Sequence, residues 1–114
     1  MAVRRVDLLQ GTLDLLVLKV LGGGPNHGYG LASRIHQLSD AALRVEEGSL
    51  YPALYRMEEQ GLIESEWGPT ENNRKAKFYR LTRKGRTAAQ AEHDGWLRLS
   101  GGITRLLRAI EHGA

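Results

Sequence analysis

Apolar residues between positions 48 and 63 recur at the spacing of a helix, and this stretch is the most informative in the chain. Leu50, Leu54 and Met57 fall on one face, which predicts contact with a core. Gly61 suits the left-handed position that ends a helix, and we expect a strand to follow at once. The opposite face carries hydroxyls, aromatic rings and one guanidinium, from Ser49, Tyr51, Pro52, Tyr55 and Arg56. Such an outer face is unusual for a helix that only meets solvent.

A helix is also predicted over residues 8–21, where apolar side chains cover nearly the whole circumference. A helix that is apolar all round must be buried on more than one side. We expect a domain of this size to cover only one of its faces, so the other face calls for a partner. The glycines at 22–24, with Pro25 and Asn26, predict the turn that ends this helix.

Another short helix completes a helix-turn-helix pattern. It starts near His27, and residues 39–45 connect it to the helix of residues 48–63, whose region begins at Glu46 or Glu47. Acidic residues at that point also complement the helix dipole. Two short helices joined by a compact connection, the second with an outward polar face, are typical of a helix-turn-helix.

Two strands around a polar loop are predicted next, over residues 62–67 and 76–81. The loop is rich in turn formers, and Asn72 and Asn73 tolerate a positive φ. A hairpin that directly follows a helix with a polar-aromatic face is how a winged helix-turn-helix meets DNA.

A long last helix is predicted from about residue 83 to residue 111, with Thr82 as its N-cap. Gly101 and Gly102 lie beside its apolar positions and could permit a bend. Those positions are spaced 3, 4, 3 and 4 apart, as in a coiled coil. They form the α4 seam, as we call it below: Trp96, Leu99, Ile103, Leu106 and Ile110.

The predicted fold class is mainly α with a small β-hairpin: a winged helix-turn-helix domain over residues 1–81 and a C-terminal dimerisation helix over residues 82–114. The chain has 114 residues, of which 41% are apolar and 25% are charged, as expected for one ordered domain. It has no cysteine, which excludes disulfides and thiolate metal sites. No apolar run reaches the length of a membrane span and the N-terminus lacks a signal-peptide core, so we expect a cytoplasmic protein.

The distribution of charge along the chain is more informative about a binding partner than the net charge of +3. Residues 74–86 contain no acid, whereas between residues 46 and 66 the acids outnumber the single cation, Arg56. A polyanion would therefore be met by the first of these segments rather than by the whole surface. Seven basic residues make up that segment: Arg74, Lys75, Lys77, Arg80, Arg83, Lys84 and Arg86.

No catalytic constellation can be defended, so an enzyme is not predicted. The four histidines are scattered without metal-ligand spacing, and no Ser-His-Asp set or pair of carboxylates on a common face is present. The glycines at 22–24 follow a helix rather than a strand, so they do not form a nucleotide-binding loop. We predict no metal and no cofactor.

Four segments in the expected order resemble the PadR family of transcriptional regulators, in the small subclass with one C-terminal helix. They are LLQGTLDLLVLKVL at 8–21, HGYGLASRI at 27–35, EGSLYPALYRMEEQGLIESEW at 47–67 and YRLTRKG at 79–85. The resemblance implies a homodimeric winged-helix protein, held by its first and last helices. It also implies an inverted-repeat DNA operator with ATGT and ACAT half-sites, which such proteins usually repress.

The resemblance also implies roles for single residues. The recognition helix would contact DNA through Ser49, Tyr51, Pro52, Tyr55 and Arg56, and the wing through Asn73, Arg74, Lys75 and Lys77. Asn73 stands where the family commonly has a glycine before the basic pair, but Asn tolerates the left-handed conformation. Cations at the loop tip would neutralise phosphates or enter the minor groove. With no Asn or Gln on the exposed N-terminal half of the helix, we expect backbone contacts and DNA shape to supply much of the affinity.

A dimer centre is expected where the first and last helices of two chains meet. Its predicted residues are Leu9, Leu13, Leu16, Trp96, Leu99, Ile103, Leu106 and Ile110. Some family members stack planar apolar drugs between tryptophans at this centre, which implies a small apolar or aromatic effector held by Trp96, Leu13, Val17 and Leu99. Alternatively, Trp96 simply packs against the partner's first helix. Trp67 is expected to cover core near the wing.

Other interpretations stay open at this point. Arg56 could read guanine with two hydrogen bonds, contact a phosphate, or pair with a neighbour near Glu59. The domain could serve as a winged-helix module for protein–protein contact, with the basic segment facing an acidic partner. It could also be a ligand-sensing dimer without strong DNA specificity.

Overall fold

The computed structural model describes residues 10–113, and its elements follow the predicted order. The helices are α1 (Gln10–Leu21), α2 (Gly28–Leu38), α3 (Glu47–Glu59) and α4 (Arg83–Glu111), and the strands are β1 (Asn26–His27), β2 (Ile63–Pro69) and β3 (Lys75–Leu81). The three strands form one antiparallel sheet in the order β1-β3-β2. The fold class predicted from the sequence, helices with a small hairpin in a winged-helix arrangement, is confirmed.

Local sequence signals account for most element ends. Gly61 has φ +76° and ends α3, as predicted, because glycine adopts the left-handed region without strain. The hydroxyl of Thr82 accepts a hydrogen bond from the Gly85 N–H at 3.0 Å, which confirms it as the N-cap of α4. His27 caps α2 in the same way, since its Nδ1 accepts from the Gly30 N–H at 3.0 Å.

Helix α1 lies at the centre of the domain, and here the expectation from the sequence is wrong. Leu13, Val17, Leu18 and Leu21 are all buried, and α1 packs against α2, α3, β3 and α4 of its own chain. A single domain therefore covers most of the apolar circumference of α1, because elements from both ends of the chain surround it. The apolar circumference of α1 is thus no argument for a second subunit.

Only the first part of α4 belongs to this core. Gly85 and Ala89 are buried, and a Cβ on Gly85 would come within 1.9 Å of the carbonyl oxygen of Leu62. The rest of the helix extends away from the domain, and Gly101 and Gly102 lie within it without interrupting it. The molecule is accordingly long, with extents of 58 × 36 × 21 Å. This geometry leaves the α4 seam uncovered.

Candidate nucleic-acid interface

The outer face of α3 is exposed over its first two turns. Leu50, Leu54 and Met57 point into the core and are at most 1% exposed, which fixes the rotation of the helix and turns the opposite face outward. That face presents Ser49, Tyr51, Pro52 and Tyr55, the residues expected on it. Phenol and serine hydroxyls aligned along one helix face are groups that bind phosphate oxygens.

Tyr51 is held in place by α2 rather than buried in the core. A Cβ on Gly28, the first residue of α2, would lie 2.6 Å from the Tyr51 hydroxyl oxygen and 2.8 Å from two of its ring carbons. The absence of a side chain at Gly28 is what admits the ring. Tyr51 remains 46% exposed and Tyr55 66% exposed, so both rings are available at the surface.

Arg56 is engaged inside the chain, by a residue that the sequence did not suggest. Its two terminal nitrogens donate to the two carboxylate oxygens of Asp14 on α1, at 2.7 and 2.9 Å. This hydrogen bonding raises the pKa of the Arg56 guanidinium above its ordinary value. The expected neighbours near Glu59 are not the partners. A guanine contact by Arg56 would require that this pair be broken.

The hairpin of β2 and β3 forms the wing, and its tip carries two unpaired cations. Asn73 has φ +63°, the left-handed conformation that the loop requires in place of the family's glycine. Arg74 and Lys75 follow it, both exposed and without an ion pair among residues 10–113. They are therefore free to neutralise phosphates.

The other cations of residues 74–86 are partly committed to contacts within the protein. Lys77 lies 3.5 Å from a carboxylate oxygen of Glu58 and 5.9 Å from the centre of the Tyr79 ring. Burial raises the pKa of the Tyr79 phenol, and the nearby Lys77 ammonium opposes that shift. Within the described residues, the tip cations thus make no ion pair, nor do Arg83 and Arg86 on α4, whereas Lys77, Arg80 and Lys84 contact other groups of the protein.

Arg80 and Lys84 are the clearest of these paired cations. Arg80 donates to Glu64 across the hairpin at 2.8 Å, and Lys84 donates to the carbonyl oxygen of Gln60 at 2.8 Å. Both are exposed, so their removal alters the charge of the protein without disturbing its core.

Trp67 does not cover the core, and this expectation is wrong. It is 69% exposed and lies opposite Lys77 in the hairpin. Directly opposed residues of antiparallel strands share a face, and strand side chains alternate, so Trp67 shares the face of Ser65. Ser65 donates a hydrogen bond to Glu58 of α3 at 2.6 Å. Trp67 therefore lies on the side of the wing that faces α3, beyond the reach of the core.

An open cleft of about 1160 Å³ separates α2 from the wing. Its walls include Tyr29 on α2, which is 75% exposed, and Trp67 on the wing, with Tyr51 and the tip cations Arg74 and Lys75. Sequence reasoning did not single out Tyr29. The sequence signal that could have found Tyr29 is its position directly after Gly28, in the first turn of α2. That turn lies beside the hairpin.

The residues predicted for a dimer centre differ in how much of their surface is exposed. The α4 seam is uncovered: Trp96 is 45% exposed, Ile103 47%, Leu99 57%, and Leu106 and Ile110 59% each. Leu13 and Val17 are 3% and 0% exposed in their own domain, so an effector held by them would have to enter between α1 and the elements that cover it. The same burial leaves Leu13 little surface to offer to an interface. Leu16 is partly buried against the core, and Leu9 lies outside the described residues.

Residues 10–113 contain no cluster of three or more His, Cys, Asp or Glu side chains that could hold a metal ion. None of the described helices is both long enough and apolar enough to cross a membrane.

Known proteins share this architecture. The model of the transcriptional regulator PadR-like family matches residues 17–91. A transcriptional regulator from Clostridium thermocellum superposes with a TM-score of 0.78 and is 27% identical, over 88% of this chain and 97% of that one. A PadR-like transcriptional regulator from Bacillus cereus gives a TM-score of 0.74 at 29% identity, over 87% of this chain and 94% of that one. A PadR family transcriptional regulator from Eggerthella lenta gives 0.70 at 36% identity, over 86% and 83%.

Proposed function

This chain belongs to the transcriptional regulator PadR-like family, and from that premise we propose that it acts as a homodimeric repressor on an inverted-repeat DNA operator. Its family makes it a DNA-binding transcriptional regulator and not an enzyme. The uncovered α4 seam is the observation that carries the proposal.

The seam supports a second copy of this chain as the partner. It extends over 15 residues, from Trp96 to Ile110, or about 21 Å of helix at a rise of about 1.5 Å per residue, and all five of its side chains are 45–59% exposed. A contiguous apolar stripe at coiled-coil spacing is covered most simply by the same stripe of another copy. Since Leu13 is buried, α4 would supply most of the interface, with Leu16 at its edge.

The proposed DNA-binding surface and the proposed dimer interface lie in different parts of the chain. We assign residues 1–81 to DNA binding and residues 82–114 to dimerisation. The first turns of α4 anchor the dimerisation helix to the DNA-binding part, because Gly85 and Ala89 pack in its core. The two recognition helices of a dimer are thereby held at a fixed separation.

Each copy would place α3 in a major groove and its wing at the adjacent minor groove. Ser49, Tyr51, Pro52 and Tyr55 would meet the major-groove edge and its phosphates, while Asn73, Arg74, Lys75 and Lys77 would follow the neighbouring backbone. Lys77 could join only by leaving Glu58. The cleft between α2 and the wing would accept the DNA backbone that separates the two grooves. Its aromatic walls are Tyr29 and Trp67, on opposite sides, and the unpaired cations of the wing tip also line it.

Binding to the inverted repeat tests this proposal. Purified protein is titrated against labelled duplexes from its own upstream region, with ATGT and ACAT half-sites intact or scrambled. We expect the intact duplex to bind at least tenfold more tightly, with two chains per duplex. Equal affinity for both duplexes would favour the protein–protein module instead.

A planar apolar effector is the second part of the proposal, and Trp96 supports it. In a dimer joined along the seam, the two Trp96 rings and the neighbouring Leu99 side chains would approach each other and form a flat apolar slot. The chain has two tryptophans, so Trp67→Phe leaves Trp96 as the single fluorescent reporter. Quenching by planar apolar cations, together with release of operator DNA, is the expected result. No quenching at any concentration that dissolves the compound would exclude this effector class.

A further inference from the structure

The Asp14–Arg56 pair joins two helices that are far apart in sequence. Both carboxylate oxygens and both terminal guanidinium nitrogens take part, and the side chains are only 17% and 29% exposed. Two parallel hydrogen bonds between planar groups fix direction as well as distance. Partial shielding from water makes the contact stronger than an exposed ion pair.

Helix α3 has little of its own to hold its DNA-facing half. Its N-cap, Glu46, makes no side-chain capping bond, and Gly48 lies in its first turn. Pro52 lies inside the helix and lacks the N–H that would otherwise bond to the Gly48 carbonyl. The core residues fix the inward face, and Glu58 near the C-terminal end of α3 accepts a hydrogen bond from Ser65 of the wing at 2.6 Å. Among residues 10–113, the bond from Arg56 to Asp14 is the side-chain hydrogen bond that ties α3 to α1.

The Asp14 end of the Asp14–Arg56 pair lies on the helix that contacts the proposed dimerisation helix. Asp14 lies on α1, and α1 packs against α4, which carries the seam. A bond from α3 to α1 therefore connects the DNA-facing helix to the element that would set the distance between two copies.

We propose that Asp14 is a positioning residue for operator recognition: through Arg56 it fixes α3 relative to α1 and α4, so that both recognition helices of a dimer reach their half-sites together. This inference rests on the proposed homodimeric operator binding. It assigns Arg56 to the inside of the protein rather than to a base, and it gives a function to a carboxylate that would otherwise only repel DNA.

The direction in which Asp14→Ala changes the affinity for DNA separates this positioning role from a direct DNA contact by Arg56. Asp14→Ala removes a negative charge, so electrostatics alone predicts tighter DNA binding. If Arg56 read a base, its release from Asp14 would also strengthen binding. Positioning predicts the opposite, a loss on the operator despite the more favourable charge.

The test is a double-mutant cycle by fluorescence anisotropy on the operator and on a scrambled duplex of equal length. Asp14→Ala and Arg56→Ala should each weaken operator binding about tenfold, and the double variant should lose no more than either alone. Binding to the scrambled duplex should stay within about twofold for Asp14→Ala. Glu64→Ala is the matched control, because it makes the same charge change at the exposed Arg80 pair and should not weaken either complex.

Several results would overturn the inference. They are operator binding by Asp14→Ala that equals or exceeds wild type, losses that multiply in the double variant, or equal losses on both duplexes. If Asp14→Ala does not fold by circular dichroism, Asp14→Asn keeps the shape and one acceptor and should lose about threefold on the operator alone; unchanged binding would again refute the role. A wild-type protein that fails to prefer the operator would instead count against the proposed function.

Discussion

Removal of the two free wing cations should change the salt dependence of DNA binding by a calculable amount. Arg74 and Lys75 are exposed and make no ion pair among the described residues, so each is available for one phosphate. The double variant Arg74→Ala with Lys75→Ala removes four such contacts from a dimer. Each contact contributes about 0.9 to the slope of log K against log salt concentration, so the slope should become shallower by about 3.6.

This slope change is large enough to measure directly. From 50 to 200 mM salt, wild-type affinity should fall about 150-fold more than the affinity of the double variant. The assay is an anisotropy titration of the operator at four or more salt concentrations. Folding is checked by thermal melting, which should be unchanged because both side chains are exposed.

The control variant removes the same charge from paired positions. Arg80→Ala with Lys84→Ala takes away two cations that already have partners, Glu64 and the Gln60 carbonyl. We expect its slope to stay within about one of the wild-type value. A wing variant with the wild-type slope, or a control with an equally shallow slope, would refute the assignment of phosphate contacts to the wing tip.

Three other substitutions test separate parts of the structure. Ile103→Glu places a charge in the uncovered α4 seam and should convert the proposed dimer to a monomer in sedimentation, whereas Thr104→Glu on the same exposed helix should not. A dimer that survives the first change would disprove the assignment of the interface to the α4 seam. Gly85→Ala would drive a Cβ to within 1.9 Å of a backbone carbonyl and should destabilise the fold by about 3 kcal/mol or more in urea, while Gly95→Ala, with open space around it, should be neutral or stabilising. Trp67→Ala should weaken DNA binding by about 1–3 kcal/mol without lowering the melting temperature, because its ring is largely exposed. A lowered melting temperature with normal DNA binding would show that Trp67 stabilises the fold instead.

The elements of the fold could be predicted from the sequence where one local signal decides them. The helical spacing of Leu50, Leu54 and Met57 set the rotation of α3, and Gly61 and Thr82 marked helix ends through backbone preferences that act within a few residues. Strand ends carry weaker local signals, and β2 continues to Pro69 rather than stopping at residue 67. The two-residue strand β1 was missed because so short a segment has no periodicity.

Features that depend on distant parts of the chain could not be predicted. Asp14 and Arg56 are 42 residues apart, and nothing local distinguishes Arg56 from a DNA-contacting arginine. Trp67 has the alternation of a core-facing strand residue, but the core ends before the strand does. The burial of Val17 follows from how many elements surround α1, which is a property of the whole domain.

The mass of the protein–DNA complex, and the dependence of affinity on half-site spacing, decide whether the chain binds its operator as a rigid dimer. We expect two chains on each inverted repeat. We also expect at least about a tenfold loss of affinity when about 5 bp, half a helical turn, are inserted between the half-sites, because α4 would hold the two recognition helices at a fixed separation. One chain on each duplex, with affinity unaffected by the insertion, would contradict the rigid dimer.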